Sequence, residues 1–331
     1  MTVIAIDAMG GDDAPGPQVA GGIEAAMRGI EIVLVGDSES LGAELNRLGG
    51  SPSGLRIAHA PDVIAMDDKA ATEVRRRRDS SIMVSMSLLK REESDALVAM
   101  GNTGAALAAA MVVLGRIKGV ERPALSALLP TRRGPSLVLD VGANADARSS
   151  HLVQFAHLGT AYMRSVYGIE QPRVGLLSIG EEESKGSSLT RETHGALTDD
   201  SAINFAGNVE GRDVVVGTTD VVVTDGFTGN VVLKLVEGTI SLMFEELRGA
   251  AESTLLSRLG GLLLRSRLAE VRDRFDYRQY GAVPMLGIDG AVFIGHGRSD
   301  AHAVASASST AAEAIEHGML DAVTHAVEGR A

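Results

Sequence analysis

Eight short runs, most of them rich in Val, Ile and Leu without polar alternation, set the first constraint on this chain: Val3–Asp7, Ile32–Gly36, Leu55–Ala60, Ala96–Met100, Leu137–Asp140, Val174–Ile179, Ile203–Ala206 and Val221–Asp225. A strand with apolar residues on both faces must be covered on both, as in a parallel sheet sandwiched by helices. Helical patterns fill the gaps, at Ala20–Arg28, Ser81–Lys90, Thr103–Leu114, His151–Tyr167 and Gly229–Leu247. This alternation calls for right-handed crossovers with helices on both sheet faces. Near the end, Met285–Ile288 and Ala291–Ile294 flank Asp289-Gly290, a hairpin signal, before a last helix over Ala301–His317. No linker or fixed-period repeat interrupts the pattern. Residues 1–331 therefore read as one α/β unit, three layers deep (α/β/α), around a largely parallel sheet.

Composition narrows the function. Asp and Glu outnumber Lys and Arg by 43 to 31, for a formal net charge of −12, and aromatic residues make up 3% with no Trp. Such a surface repels a phosphate backbone and offers few stacking platforms, so no nucleic-acid partner is expected. The absence of Cys excludes disulfides, thiolate metal sites and a cysteine nucleophile. The eight His lack metal-ligand spacing, and neither a metal nor a cofactor is expected. The N-terminal run has no basic flank of a secretory signal, and Ala105–Leu114 is shorter than the roughly 20 residues a bilayer span needs. A cytoplasmic protein is expected.

In open α/β sheets, ligands bind beyond the carboxyl ends of the strands. Five glycine-rich turns follow strands here: Asp7–Pro15, Gly101-Asn102-Thr103-Gly104, Asp140–Asp146, Gly180–Gly186 and Asp225–Asn230. If all five share one sheet edge, they form a site for an anion. Glycine lets backbone N–H groups approach closely, and a following helix N-terminus adds partial positive charge. Asn102, Thr103, Thr228 and Asn230 offer neutral donors, and Lys185 offers a full positive charge. The common nucleotide and hydrolase fingerprints are missing. Gly295-His296-Gly297-Arg298-Ser299-Asp300 has Asp where G-x-G-x-x-G needs its last glycine, and Gly180–Lys185 lacks the second glycine and hydroxyl of a P-loop. Neither H-E-x-x-H nor G-x-S-x-G occurs.

At these turns the chain resembles the bacterial phosphate acyltransferase family, the fatty acyl–acyl carrier protein:phosphate acyltransferases of early phospholipid synthesis. The matching stretches are Ile4–Asp12, Gly101–Ala105, Arg122–Ala124, Leu139–Asn144, Val174–Leu177, Gly180–Gly186, Asn204–Asp213, Asp225–Val231 and Gly295–Gly297. Asp13 and Ser178 depart from it, standing where the family usually has His and Asn. The resemblance implies a fold similar to the isocitrate/isopropylmalate dehydrogenase group and a homodimer. It also implies direct attack of inorganic phosphate on an acyl-carrier thioester, without a covalent enzyme intermediate. In that reaction Lys185 meets phosphate charge or the leaving thiolate, Asn230 donates to the oxyanion, and His296 protonates the leaving thiol. Gly101, Asn102, Thr103, Gly104, Asn144, Asp225, Gly226, Thr228 and Gly229 bind substrate. A phosphotransacetylase using acyl-CoA, a nicotinamide-dependent decarboxylating dehydrogenase and a non-catalytic membrane-associated scaffold remain as alternatives.

The stretch about 248–278 is unlike the rest. Leu255, Leu256, Leu259, Leu262 and Leu263 recur at helical spacing, and seven Arg face four acids in a chain that is acidic overall. A turn at Gly260-Gly261 between two protruding helices would put Leu262, Leu263 and Leu264 at an exposed tip, ringed by Arg258, Arg265 and Arg267. That suits an anionic lipid surface, a peripheral membrane location and delivery of product to a membrane-bound glycerol-3-phosphate acyltransferase; a helical pair packed in a dimer interface or core is the other reading. The acidic carrier protein needs a basic dock, for which this segment and Arg75–Arg78 are candidates.

Overall fold

The computed structural model describes residues 2–274 and 281–328. The first part comprises β1 (Val3–Asp7), α1 (Gly16–Met27), β2 (Glu31–Gly36), α2 (Ser38–Arg47), β3 (Leu55–His59), α3 (Ala70–Arg76), α4 (Ser81–Lys90), β4 (Ala96–Ala99) and α5 (Thr103–Val113). Next come β5 (Ala124–Thr131), β6 (Gly134–Leu139), α6 (Ser149–Tyr167), β7 (Arg173–Leu177), α7 (Ser188–Asp199), β8 (Asn204–Val209), α8 (Gly211–Val216) and β9 (Val221–Val223). Two long helices, α9 (Gly226–Glu252) and α10 (Leu255–Arg274), precede β10 (Ala282–Leu286), β11 (Val292–Gly295), α11 (Ala301–Glu316) and α12 (Met319–Glu328).

Successive strand residues point to opposite faces, so the unbroken apolar runs fill two cores at once. Ile4 and Ile6 join Val19, Phe155 and Val304 on one face, under α1, α6 and α11. Ala5 faces the other way, among Met86, Ala105 and Ala109 of α4 and α5. The three-layer α/β/α expectation holds.

The strands form one sheet in the order β3-β2-β1-β4-β11-β10-β5-β6-β9-β7-β8. Most neighbours are parallel, but β10 runs antiparallel to both β11 and β5, and β5 antiparallel to β6. Strands β1–β5 and β11 therefore point one way and β6–β10 the other. The expected C-terminal hairpin is present, with Val283 opposite Ile294 and Pro284 opposite Phe293. Strand β5 was not among the expected strands.

The helical pair differs from expectation in one respect. The turn between α9 and α10 falls at residues 253–254, and α10 continues unbroken through Gly260-Gly261. A Cβ on Gly261 would come within 3.0 Å of the Ala251 Cβ, so that glycine lets α10 lie close against α9 instead of turning the chain. Leu262, Leu263 and Leu264 are exposed, but in the body of α10 and not at the tip. Residues 275–278 of this basic stretch lie outside the described residues. Beyond its first turns α9 is exposed as well, showing Val231, Leu235, Leu242 and Met243; by length and composition alone it could span a bilayer.

Candidate active site

The reversal of strand direction corrects the expectation of one shared edge. The turns after β1, β4 and β11 gather at one end of the sheet, and those after β6, β7 and β9 gather at the other. An apolar run looks the same read in either direction, so strand direction leaves no mark in the residue pattern.

At the first end, Gly10 and Gly101 touch back to back: a Cβ on Gly10 would lie 2.9 Å from the Gly101 Cα and 3.0 Å from Asp7 Oδ2. Burial holds the Asp7 carboxyl above the usual carboxylate range, partly offset by the Met9 N–H that it accepts. The Asn102 side chain is fully engaged by protein. Its Oδ1 caps α5 by accepting from Ala105 N at 3.0 Å, and its Nδ2 donates to the carbonyls of Ala65, Met66 and Asp68. What this turn presents outward is backbone N–H from exposed Thr103 and Gly104, which the first helical turn leaves without intrahelical partners. His296 is at this same end, where its Nδ1 accepts from the Arg298 N–H at 3.2 Å. Asp12 N–H donates to the Gly297 carbonyl, tying the first turn to the last. Asp13 is exposed. Beside α5, Arg77 is held by Glu73 at 2.7 Å, whereas Arg75, Arg76 and Arg78 are exposed.

At the second end, β6, β9 and β7 are adjacent, so their turns lie side by side. Asp140, fully buried, organises the first of them. Its carboxylate accepts from the backbone N–H groups of Leu125, Gly142, Ala143 and Asn144 and from the Asn144 amide, which also donates to the Pro123 carbonyl. The start of α9 presses against this loop. Gly226 N–H donates to the Asn144 carbonyl, and a Cβ on Gly226 would lie 2.7 Å from Asp140 Oδ2. Asp225 caps α9 by accepting from the Thr228 N–H and hydroxyl at 2.9 and 2.7 Å. Asn144, Asp225 and Thr228 thus build the turn, and Gly226 and Gly229 allow its close approach. The Asn230 side chain lies beside Gly142, exposed and with no hydrogen-bond partner among the described residues. Lys185 is exposed too, with no carboxylate partner among the described residues.

The structure therefore joins Asn230 to Asn144, Asp225, Gly226, Thr228 and Gly229, and places the turn of Lys185 at the same end of the sheet, on the neighbouring strand. It sets Gly101, Asn102, Thr103, Gly104 and His296 apart from them. Two apolar side chains that the sequence reading missed flank the second end: Ile179 is 81% exposed and Phe227 67%. No group of three His, Asp or Glu side chains converges as a metal site among the described residues.

Comparison with known proteins places the chain in a family. Residues 2–321 match the family described as "Fatty acid synthesis protein". The chain is 55% identical over 317 residues to a phosphate acyltransferase from Thermus thermophilus, covering 96% of each. It is 47% identical over 326 residues to one from Geobacter sulfurreducens, covering 98% of this chain and 94% of that protein. Among solved structures, the EutD phosphotransacetylase from Staphylococcus aureus aligns with a TM-score of 0.59 at 14% identity, over 94% of this chain and 93% of that one. A putative 4-hydroxythreonine-4-phosphate dehydrogenase from Salmonella typhimurium aligns with a TM-score of 0.58 at 14% identity, over 94% and 98%. At such identities these two speak for a shared dehydrogenase-like fold and nothing finer. With nearly its whole length matched at close to half identity or better, the chain belongs to the phosphate acyltransferase family and is an acyltransferase.

Proposed function

We propose that this chain transfers a fatty acyl group from the thioester of an acyl carrier protein to inorganic phosphate, giving an acyl-phosphate for glycerolipid synthesis. The observation that carries this reading is the placement of Lys185 and Asn230 on the turns of the adjacent strands β7 and β9, each exposed and without a side-chain partner among the described residues. A phosphate oxygen attacks the thioester carbonyl, a tetrahedral oxyanion forms, and the C–S bond breaks to release the pantetheine thiolate. Phosphate is already an anion near neutral pH, so no side-chain nucleophile is required. The protein's task is to orient phosphate and stabilise the oxyanion. Lys185 holds the phosphate charge or the departing thiolate, and Asn230 donates to the oxyanion beside the first N–H groups of α9. The exposed Ile179 and Phe227 supply apolar surface for the start of the acyl chain.

Gly101–Gly104 and His296 sit at the far end of the sheet, so they share a site with Lys185 only across two copies. This is how the homodimer enters the reading, with His296 of one copy protonating the thiolate released beside the other's Lys185. The direct test is thiol release from long-chain acyl-carrier protein, with and without phosphate, trapping product with hydroxylamine. Phosphate-dependent release with a trapped hydroxamate is expected; no release from a folded protein on either acyl-carrier protein or acyl-CoA would defeat the reading, and preference for acyl-CoA would favour the phosphotransacetylase alternative. In the same assay, co-expressed His296→Ala and Lys185→Ala chains should regain turnover that neither has alone. No recovery would place a whole site in each chain.

We also propose a cytoplasmic enzyme that attaches peripherally to anionic membrane through α10, to hand acyl-phosphate to a membrane-bound glycerol-3-phosphate acyltransferase. The exposed Leu262, Leu263 and Leu264 support this, with Arg265 beside them. Among the described residues Arg258 is bonded to the Glu252 carbonyl and Arg267 to Glu270, which leaves Arg265 as the least restrained of the three charges. Changing the three Leu to Ser should abolish cosedimentation with anionic vesicles while leaving turnover intact. Unchanged cosedimentation would remove α10 from the membrane.

A further inference from the structure

The Asn204–Asp213 stretch carries part of the family resemblance, yet it supplies none of the residues assigned to the transfer. We propose that Asn208 is a positioning residue that holds the turn presenting Lys185. This inference rests on Lys185 acting in the transfer, as proposed above.

Strand β8 contains one residue more than its partner β7. Val174 pairs with Phe205 and Leu176 with Asn208, so two steps along β7 match three along β8. The surplus is a bulge, and Gly207 within it has φ +93°, a backbone that disfavours any side chain. A bulge re-aims the residue that follows it, and here that is Asn208, which is buried. Its Nδ2 donates to the Glu182 carbonyl at 2.9 Å, and its Oδ1 meets His194 Nδ1 at 3.1 Å. The His194 ring stands edge-on to Phe205 with centroids 5.1 Å apart, which fixes its direction. With Asn208 Oδ1 facing it, His194 Nδ1 is the donor, and the amide nitrogen is left for Glu182.

The same Glu182 carbonyl accepts the backbone N–H of Lys185 at 3.0 Å. One oxygen therefore joins Asn208 to the residue that matters. Two glycines shape what remains of the turn. A Cβ on Gly180 would lie 3.0 Å from Lys185 Cγ, so the lysine stem runs over bare backbone. Gly186, at φ +97°, turns the chain into α7. No carboxylate fixes the Lys185 ammonium among the described residues, so its direction is inherited from this turn. Of the other tethers, Arg191 donates to the Gly186 carbonyl at 2.6 Å where the chain enters α7, and Arg212 meets Glu181 at 3.2 Å through two side chains that are each 67% exposed, a kind of pair that contributes little.

The test is a double-mutant cycle on the full-length protein, with phosphate and acyl-carrier protein as the varied substrates. A group misplaced by about an ångström can cost about 100-fold. Asn208→Ala is expected to lower kcat/KM for phosphate by roughly 10- to 100-fold with KM for the acyl carrier little changed. In a Lys185→Ala background the same change should add nothing, because the group it positions is gone. Arg212→Ala should leave both constants near wild type. If the Asn208 and Lys185 losses multiply, or if a folded Asn208→Ala protein turns over normally, the assignment is overturned. Should the alanine variant lose its thermal transition, Asn208→Ser, which keeps a hydroxyl donor, is carried through the same cycle under the same criteria. Near-normal turnover by Lys185→Ala would instead sink the underlying reading of Lys185, and this inference with it.

Discussion

Lys185→Ala and Asn230→Ala are each expected to cut phosphate-dependent turnover by about 100- to 1,000-fold, the range for losing one preorganised oxyanion donor. Among the described residues neither side chain makes a polar contact, and both are exposed, so truncation leaves no buried group unsatisfied. Surface changes of that kind usually alter stability by less than about 0.5 kcal/mol. Activity and unfolding should therefore separate cleanly in these two variants, which steady-state kinetics and thermal melts on one preparation will show. A variant that keeps turnover within a few-fold of wild type removes its residue from the chemistry. The pair also distinguishes two roles. If Lys185 binds phosphate in the ground state, part of its loss appears in the phosphate KM; an oxyanion donor acts only in the transition state, so the Asn230 loss should appear in kcat.

The second large effect is structural. Gly229→Ala would drive a Cβ into the Asp140 carbonyl oxygen and to within 3.0 Å of both the Asp140 carbonyl carbon and the Thr224 Cγ2. The loop cannot easily move aside, because the Asp140 carboxylate is bonded to its neighbours and Asp140 N–H to the Thr224 carbonyl. Forcing extra volume into such a place typically costs about 1–3 kcal/mol, and here it also displaces the helix start that carries Asn230. Lower stability in denaturant and lost turnover are expected together. Gly238, further along α9, makes the control: a Cβ there meets nothing within 4 Å, so Gly238→Ala should stabilise by up to about 1 kcal/mol through helix propensity. A Gly229→Ala protein with wild-type stability and turnover would show that the close approach is dispensable.

Some of this was legible from the residues and some was not. Runs such as Val3–Asp7 and Val221–Val223 declared themselves because strands buried on both faces need no polar alternation. Strand β5 was hidden by its own composition: Ser126 and Pro130 break the apolar run, although Ser126 is satisfied internally by donating to the Pro284 carbonyl. The glycine turns were visible, but which sheet end each occupies depends on pairings between β10, β5 and β6, distant in sequence. Gly260-Gly261 resembled a turn because glycine marks turns more often than close helix contacts. At the site, residue type was a good guide to location and a poorer one to duty. Asp225, Thr228, Asn144 and the Asn102 side chain all lie in the turns, yet their polar atoms hold backbone in place. Asn208 was within a recognised motif, but its contact with Glu182 crosses from β8 to the turn after β7 and leaves no local spacing signature.

The placement of β10 and β11 has a consequence for how the chain comes to be made. These strands, 282–286 and 292–295, are late in sequence but central in space, inserted between β4 and β5. Until they leave the ribosome, β4 and β5 each present an open edge whose native partner does not yet exist. Such edges invite pairing with other chains, and joining them late imposes a high contact order on folding. A prematurely terminated chain ending before β10 would hold every residue of the Lys185 and Asn230 turns and still be two half-sheets with nothing to weld them.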